Sequence, residues 1–151
     1  AYFQVALGME GERAGLLAAL SNGSMAAGLF WQDDDNFRMR RRIAEVVTGE
    51  RKGFTQAALV AEGMTAKGSE MYYLFFLLSF FRDVWWLYNT GDPSGIMNSD
   101  LKEILTKQKP GSLDRLQTAV RRVQETMRTL RYNVNRWVTM EVLMADIVRP
   151  A

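Results

Sequence analysis

The chain has 151 residues, 48% hydrophobic and 24% charged, which suits one globular domain or one and a half and excludes a disordered segment. It contains neither cysteine nor histidine, so disulfide and thiol chemistry are excluded, and the commonest general base and metal ligand are missing. The net charge of +2 hides an asymmetry: residues 1–36 carry five acids and one base, while residues 37–151 carry 12 acids and 18 bases, so a boundary or two distinct surfaces are expected.

The opening residues, Ala1 to Leu7, have neither the basic start nor the long apolar run of a signal peptide. The chain does not begin with methionine, and we read it as a fragment. A chain without cysteine suits a reducing compartment, so a cytoplasmic location is expected.

Residues 10–31 read as two short helices around Ser21-Asn22-Gly23-Ser24. Gly23 can close the first in the left-handed conformation, and Ser24 can cap the second. Asp33-Asp34-Asp35 invites a metal reading, but adjacent aspartates do not converge on one ion unaided. They precede an amphipathic helix, Phe37 to Val47, where negative charge complements the N-terminal dipole. Phe37, Ile43, Val46 and Val47 are its core candidates. Arg38, Arg40, Arg41 and Arg42 are expected to face outward.

A polar loop, 48–53, leads to a helix from Phe54 to Met64. The next segment, Ser69 to Asn89, holds nine of the 17 aromatic residues and eight consecutive apolar residues, Met71 to Leu78. A helix apolar nearly all round is a buried core helix or a membrane span. Its longest apolar run is 11 residues even when Ser79 is tolerated, against roughly 20 for a bilayer, and Arg82-Asp83 interrupts it. A central core helix with Leu74, Leu77, Leu78 and Phe81 deeply buried is therefore expected.

The stretch Asn89 to Gly95 is a loop, and a short helix carrying Leu101, Ile104 and Leu105 follows from Asn98 or Ser99. Ser112 is a candidate N-cap for the most periodic segment. There Leu113, Leu116, Val120, Val123, Met127 and Leu130 step by three and four, a heptad-like seam. Arg115, Arg121, Arg122, Arg128 and Arg131 lie off that seam. Asn133 and Asn135 separate it from a last helix, Arg136 to Val148, with Asn135 placed to cap it. The fold expected is all-α, a compact bundle of about eight helices around the apolar helix 69–89. No phosphate-binding glycine loop occurs.

Three phrases add a resemblance. Leu20-Ser-Asn-Gly-Ser-Met-Ala-Ala-Gly-Leu29, Phe80-Phe-Arg-Asp83 with Asn98-Ser-Asp100 after it, and Tyr132-Asn-Val-Asn-Arg-Trp-Val-Thr-Met-Glu-Val-Leu-Met144 together resemble the C-terminal part of bacterial DNA polymerase III clamp-loader subunits, most closely the delta-prime type. The resemblance runs from about Leu17 to Ile147. It implies that residues 1–36 end an AAA+ lid-like helical segment and that residues 37–151 form a helical collar, the oligomerisation domain. It implies sister loader subunits as partners, with the sliding clamp and DNA engaged indirectly. Ala26 stands where ATP-hydrolysing relatives carry a phosphate-sensing arginine, which favours the delta-prime type over the gamma/tau-like ATPase subunit.

On this reading Arg115, Arg121, Arg122, Arg128 and Arg131 are a candidate subunit interface, and Arg82, Asp83, Asn133 and Asn135 are structural. No catalytic residue, cofactor, metal, membrane or small-molecule ligand is expected, and the fragment is not expected to be an enzyme. Two other readings stay open. The arginine rows suit a nucleic-acid-binding helical module, and a pocket beside Trp85, Trp86 and Tyr88 would suit a ligand binder.

Overall fold

Glycine, serine and aspartate decide where the helices start and stop. In the computed structural model, which describes residues 11–108 and 113–149, α1 spans Gly11–Ser21 and α2 spans Met25–Gln32. Between them Gly23 adopts φ +81°, and Ser24 Oγ accepts from the Ala27 amide at 3.3 Å. Helix α3 spans Asp34–Val47 and begins three residues before Phe37. The cause is Asp33, whose Oδ1 accepts from the Asp35 and Asn36 amides at 2.8 and 3.3 Å. With Asp34 and Asp35 in the first turn, the acidic run acts as a helix start.

Helix α4 spans Phe54–Thr65, and α5 spans Glu70–Thr90. Gly91, at φ +66°, ends α5 in the left-handed conformation and donates its amide to the Leu87 carbonyl at 2.9 Å. Two single 3-10 turns, Pro93–Gly95 and Ser99–Leu101, lead into α6, Lys102–Thr106. Helix α7 spans Leu113–Thr129 and α8 spans Arg136–Val148. Ser112, the expected cap of α7, lies outside the described residues. Among the described residues there are eight α-helices and no strand.

Tyr73, Leu74, Phe76, Leu77, Phe80, Phe81 and Val84 of α5 are buried, more apolar side chains than any other helix contributes. They join one core with Ile43, Ala44 and Val46 of α3, Val60, Ala61 and Met64 of α4, Ile104 and Leu105 of α6, and Met140, Leu143 and Met144 of α8. That core crosses residue 36 without a break. Leu17 of α1 is fully buried, and Trp31 of α2 lies edge-on to Tyr73 and Phe76 at 5.6 and 6.2 Å between ring centroids.

Leu74, Leu77 and Phe81 are buried as expected, but Leu78 is only half-buried. At 100° per residue Leu78 shares a strip with Met71, Phe75, Arg82 and Trp85, and this strip is only partly covered: Met71 and Leu78 pack half-buried against the core, while Phe75 and Trp85 are 58% and 49% exposed. The expected α7 seam is likewise only partly covered. Val123 and Leu130 are buried, Leu116, Val120 and Met127 are half-buried, and Leu113 is exposed. Of the apolar α8 positions, Trp137, Val138 and Val142 are exposed. No helix of the described residues is long and apolar enough to cross a membrane.

Truncating a fully buried leucine removes its transfer energy and leaves a cavity. Leu77→Ala is expected to cost about 2–5 kcal/mol, and Leu78→Ala clearly less, as measured by urea unfolding of the two variants side by side.

Candidate functional site

The Arg82-Asp83 pair sits on α5 where the apolar run is interrupted, and the two side chains part company. Asp83 points inward with no exposed surface, while Arg82 lies near the surface. A buried carboxylate needs donors on both oxygens, and the loop after α5 supplies them. Asp83 Oδ1 accepts from the Met97 amide at 2.9 Å and from Arg82 Nη1 at 2.8 Å. Asp83 Oδ2 accepts from the Asn98 amide and from Asn98 Nδ2, both at 2.8 Å.

Asn98 is itself fully buried, and its Oδ1 accepts from Arg40 Nη1 at 3.2 Å. Arg40 Nη2 also pairs with Asp100. The Arg40 guanidinium rests over the Phe37 ring at 4.6 Å and the Phe76 ring at 5.4 Å. Burial pushes the Arg40 pKa down, opposed first by the charge of Asp100 and then by its hydrogen bond. Arginine nevertheless stays protonated. Two acids and two arginines thus meet in one polar seam.

This arrangement corrects one expectation. Arg40 does not face outward; it is completely buried. Its position is three residues after Phe37 and three before Ile43, so it falls on the apolar stripe of α3. That spacing was the available signal, and the surrounding run of arginines masked it. The neighbours behave differently. Arg38 pairs with Asp35 at i,i+3, Arg41 pairs with Glu45 at i,i+4, and Arg42 is half-buried. The row 38–42 is therefore not one free cationic face.

Asn135 Oδ1 accepts from the Val138 amide at 3.1 Å and caps α8, as its place before the helix suggests. Asn133 is exposed in the preceding turn, and no side-chain hydrogen bond joins it to Asn135. The α7 arginines divide into two groups. Arg115 donates to the Arg149 carbonyl at 3.0 Å, tying α7 to the end of α8. Arg122 meets Glu125 at 3.3 Å and Asp146 of α8 at 3.5 Å. Arg121, Arg128 and Arg131 are exposed, and their side chains make no ion pair or hydrogen bond among the described residues.

Trp85, Trp86 and Tyr88 do not converge. Trp86 donates from Nε1 to the Asp92 carbonyl at 2.8 Å, and its ring lies where any side chain at position 95 would stand, which accounts for Gly95. Tyr88 is exposed. Trp85 instead borders an open groove of about 650 Å³ between α5 and α7, with Leu78, Phe81, Leu116 and Val120 as its apolar lining and Arg82 and Arg121 at its edges.

No family model matches the chain, and no curated protein or solved structure matches it either. Its chemistry has to be read from these residues.

Two consequences can be measured. Arg40→Met leaves Asn98 and Asp100 without their shared donor and the buried Asp83 with less opposing charge; it is expected to cost about 3–5 kcal/mol, while Arg38→Met on the wet side leaves the unfolding midpoint near its starting value. Tyr73 gives a pH signature. Burial, followed by the charges of Asp33 and Asp35, pushes its phenol up to about 12, against about 10 when unfolded. The neutral phenol therefore favours the folded state, and stability contributed below pH of about 10 is lost as pH rises toward about 12. Tyr73→Phe is expected to make that alkaline decline shallower, as followed by thermal unfolding against pH.

Proposed function

We propose that this chain is an assembly module, the collar or oligomerisation domain of a bacterial DNA polymerase III clamp-loader subunit of the delta-prime type. On this reading residues 1–36 end the lid-like segment and residues 37–151 are the collar. The subunit acts in the cytoplasm with sister loader subunits, and the assembly places a sliding clamp on DNA. This part of the chain does no chemistry of its own; its contribution is surface.

The observation that carries the reading is the outward side of α5 and α7. Phe75 and Trp85 are exposed over about half of their surface, Leu78 is half-buried beside them, and the side chains of Arg121 and Arg128 stand unpaired on α7 among the described residues. Large apolar side chains with unpaired arginines nearby are typical of surfaces that meet protein. The loader-specific form of the proposal rests on the order of the three phrases along the chain. It draws further support from the way Arg82-Asp83 and Asn98-Ser-Asp100, which the resemblance assigns to one region, fold onto each other. Ala26, exposed on α2, offers no charge to a phosphate and favours the delta-prime type over the ATPase subunit.

A nucleic-acid module is the second reading, favoured by the unpaired cations of α7. Reversing Arg121, Arg128 and Arg131 to glutamate in the full-length subunit separates the two, and Arg122, which ties α7 to α8, is left in place. We expect the fold to survive, since all three are exposed, and loader assembly to fail in analytical ultracentrifugation. Normal assembly with DNA binding that weakens steeply between about 50 and 200 mM salt would favour the nucleic-acid reading. No change in either would reduce the arginines to a solvated face.

A further inference from the structure

The groove between α5 and α7 has a lining and a charge pattern that select its occupant. Leu78, Phe81, Trp85, Leu116 and Val120 give it apolar walls. Gln117 and Gln124 offer neutral polar atoms, and no acidic residue lines it among the described residues. Arg121 stands at its edge, and Arg128, seven residues on, repeats the same α7 face two turns later. Arg82 is already engaged by Asp83 and by the Gly95 carbonyl, so the unspent charge is that of α7. Phe75 extends the apolar strip one turn before Leu78.

We propose that this groove docks one acidic amphipathic helix of a partner protein, its apolar stripe against Leu78, Trp85 and Val120 and its carboxylates toward Arg121 and Arg128. An apolar helix face needs a strip of anchors at i, i+3, i+4 and i+7, which a channel between two helices receives. Carboxylates match arginine in bidentate geometry. The walls argue against a nucleic-acid strand, because Leu78 and Val120 offer phosphate nothing and, among the described residues, Arg121 is the one cation of the lining whose side chain is unpaired. This inference rests on the assembly reading and specifies the partner's chemistry.

The test uses the 151-residue chain and two designed helical peptides with the same leucine stripe, one flanked by glutamate and one by lysine. Isotope-edited NMR follows the Trp85 indole N–H and the α7 amides. We expect the glutamate peptide to shift those signals, the lysine peptide to leave them, and Arg121→Glu with Arg128→Glu to weaken binding on the order of tenfold or more. Equal binding of both peptides, or of neither, overturns the proposal. So do shifts confined to other helices, and so does binding of anionic phospholipid vesicles in place of the peptide. The full-length subunit separates this inference from the reading beneath it. Loader assembly lost in the charge-reversed variant while the glutamate peptide never binds sinks the groove and leaves the assembly reading. Peptide binding with loader assembly indifferent to the arginines does the reverse.

Discussion

A carboxylate with no exposed surface governs how this fold closes. Asp83 sits on the inner side of α5, among Phe80, Phe81 and Val84. Left unpaired there, its charge would cost several kcal/mol. Two backbone amides, one side-chain amide and one guanidinium surround it instead. Three of those donors come from Met97 and Asn98, so satisfying the charge fixes where the chain runs after α5. Asn98 then passes the constraint to Arg40, and Arg40 ties α3 to the same loop through Asp100. Leu101, Ile104 and Leu105 enter the core directly after this anchor. Burying an ion-pair network adds little net stability compared with apolar packing of the same shape. Its effect here is to hold one register of loop and helices, because any other path leaves Asp83 bare.

The parts legible in the sequence are those set by local chemistry. Gly23 and Ser24 break α1 from α2 and Asn135 starts α8, each through groups within a few residues. Asp33, by contrast, starts α3 three residues before the expected Phe37, and α5 runs through Asn89 and Thr90, which were expected in the loop, before Gly91 ends it. Apolar periodicity gave the all-helical class for the same reason. Contacts between distant residues were harder to read. Arg40 and Asn98 lie 58 positions apart, and nothing local marks an arginine inside a basic run as the buried one. Its i,i+3 spacing to Phe37 and Ile43 marks the apolar stripe, while its charge points to the solvent side. Leu78 failed in the opposite direction. A continuous apolar run cannot reveal which strip of the helix its own chain leaves uncovered.

That uncovered strip also reverses the usual sidedness of α5. Glu70 and Asp83 are buried on this helix, while Phe75, Trp85 and Tyr88 are exposed. Asp83 has its donors, whereas Glu70 Oε2 lies 3.4 Å from Arg136 of α8 as an ion pair and makes no hydrogen bond. The outward apolar side chains have no covering partner within the described residues. Phe75 forms none of the ring contacts that link Phe30, Trp31, Tyr72, Tyr73, Phe76, Phe80 and Phe81.

Covering such a strip is worth about 25 cal/mol for each Å² removed from water. A single small patch yields little of that once the cost of association is met. Affinity must therefore come from several anchors acting together, with electrostatics choosing among apolar partners. Arg121 and Arg128 are suited to that choice because neither is committed to an acid among the described residues. Arg115 and Arg122 are committed, to the Arg149 carbonyl and to Glu125 and Asp146, and so serve the α7–α8 contact. The five arginines of α7 and the turn after it, which look alike in sequence, therefore divide into two whose side chains hold α7 to α8 and three whose side chains are engaged by no group among the described residues.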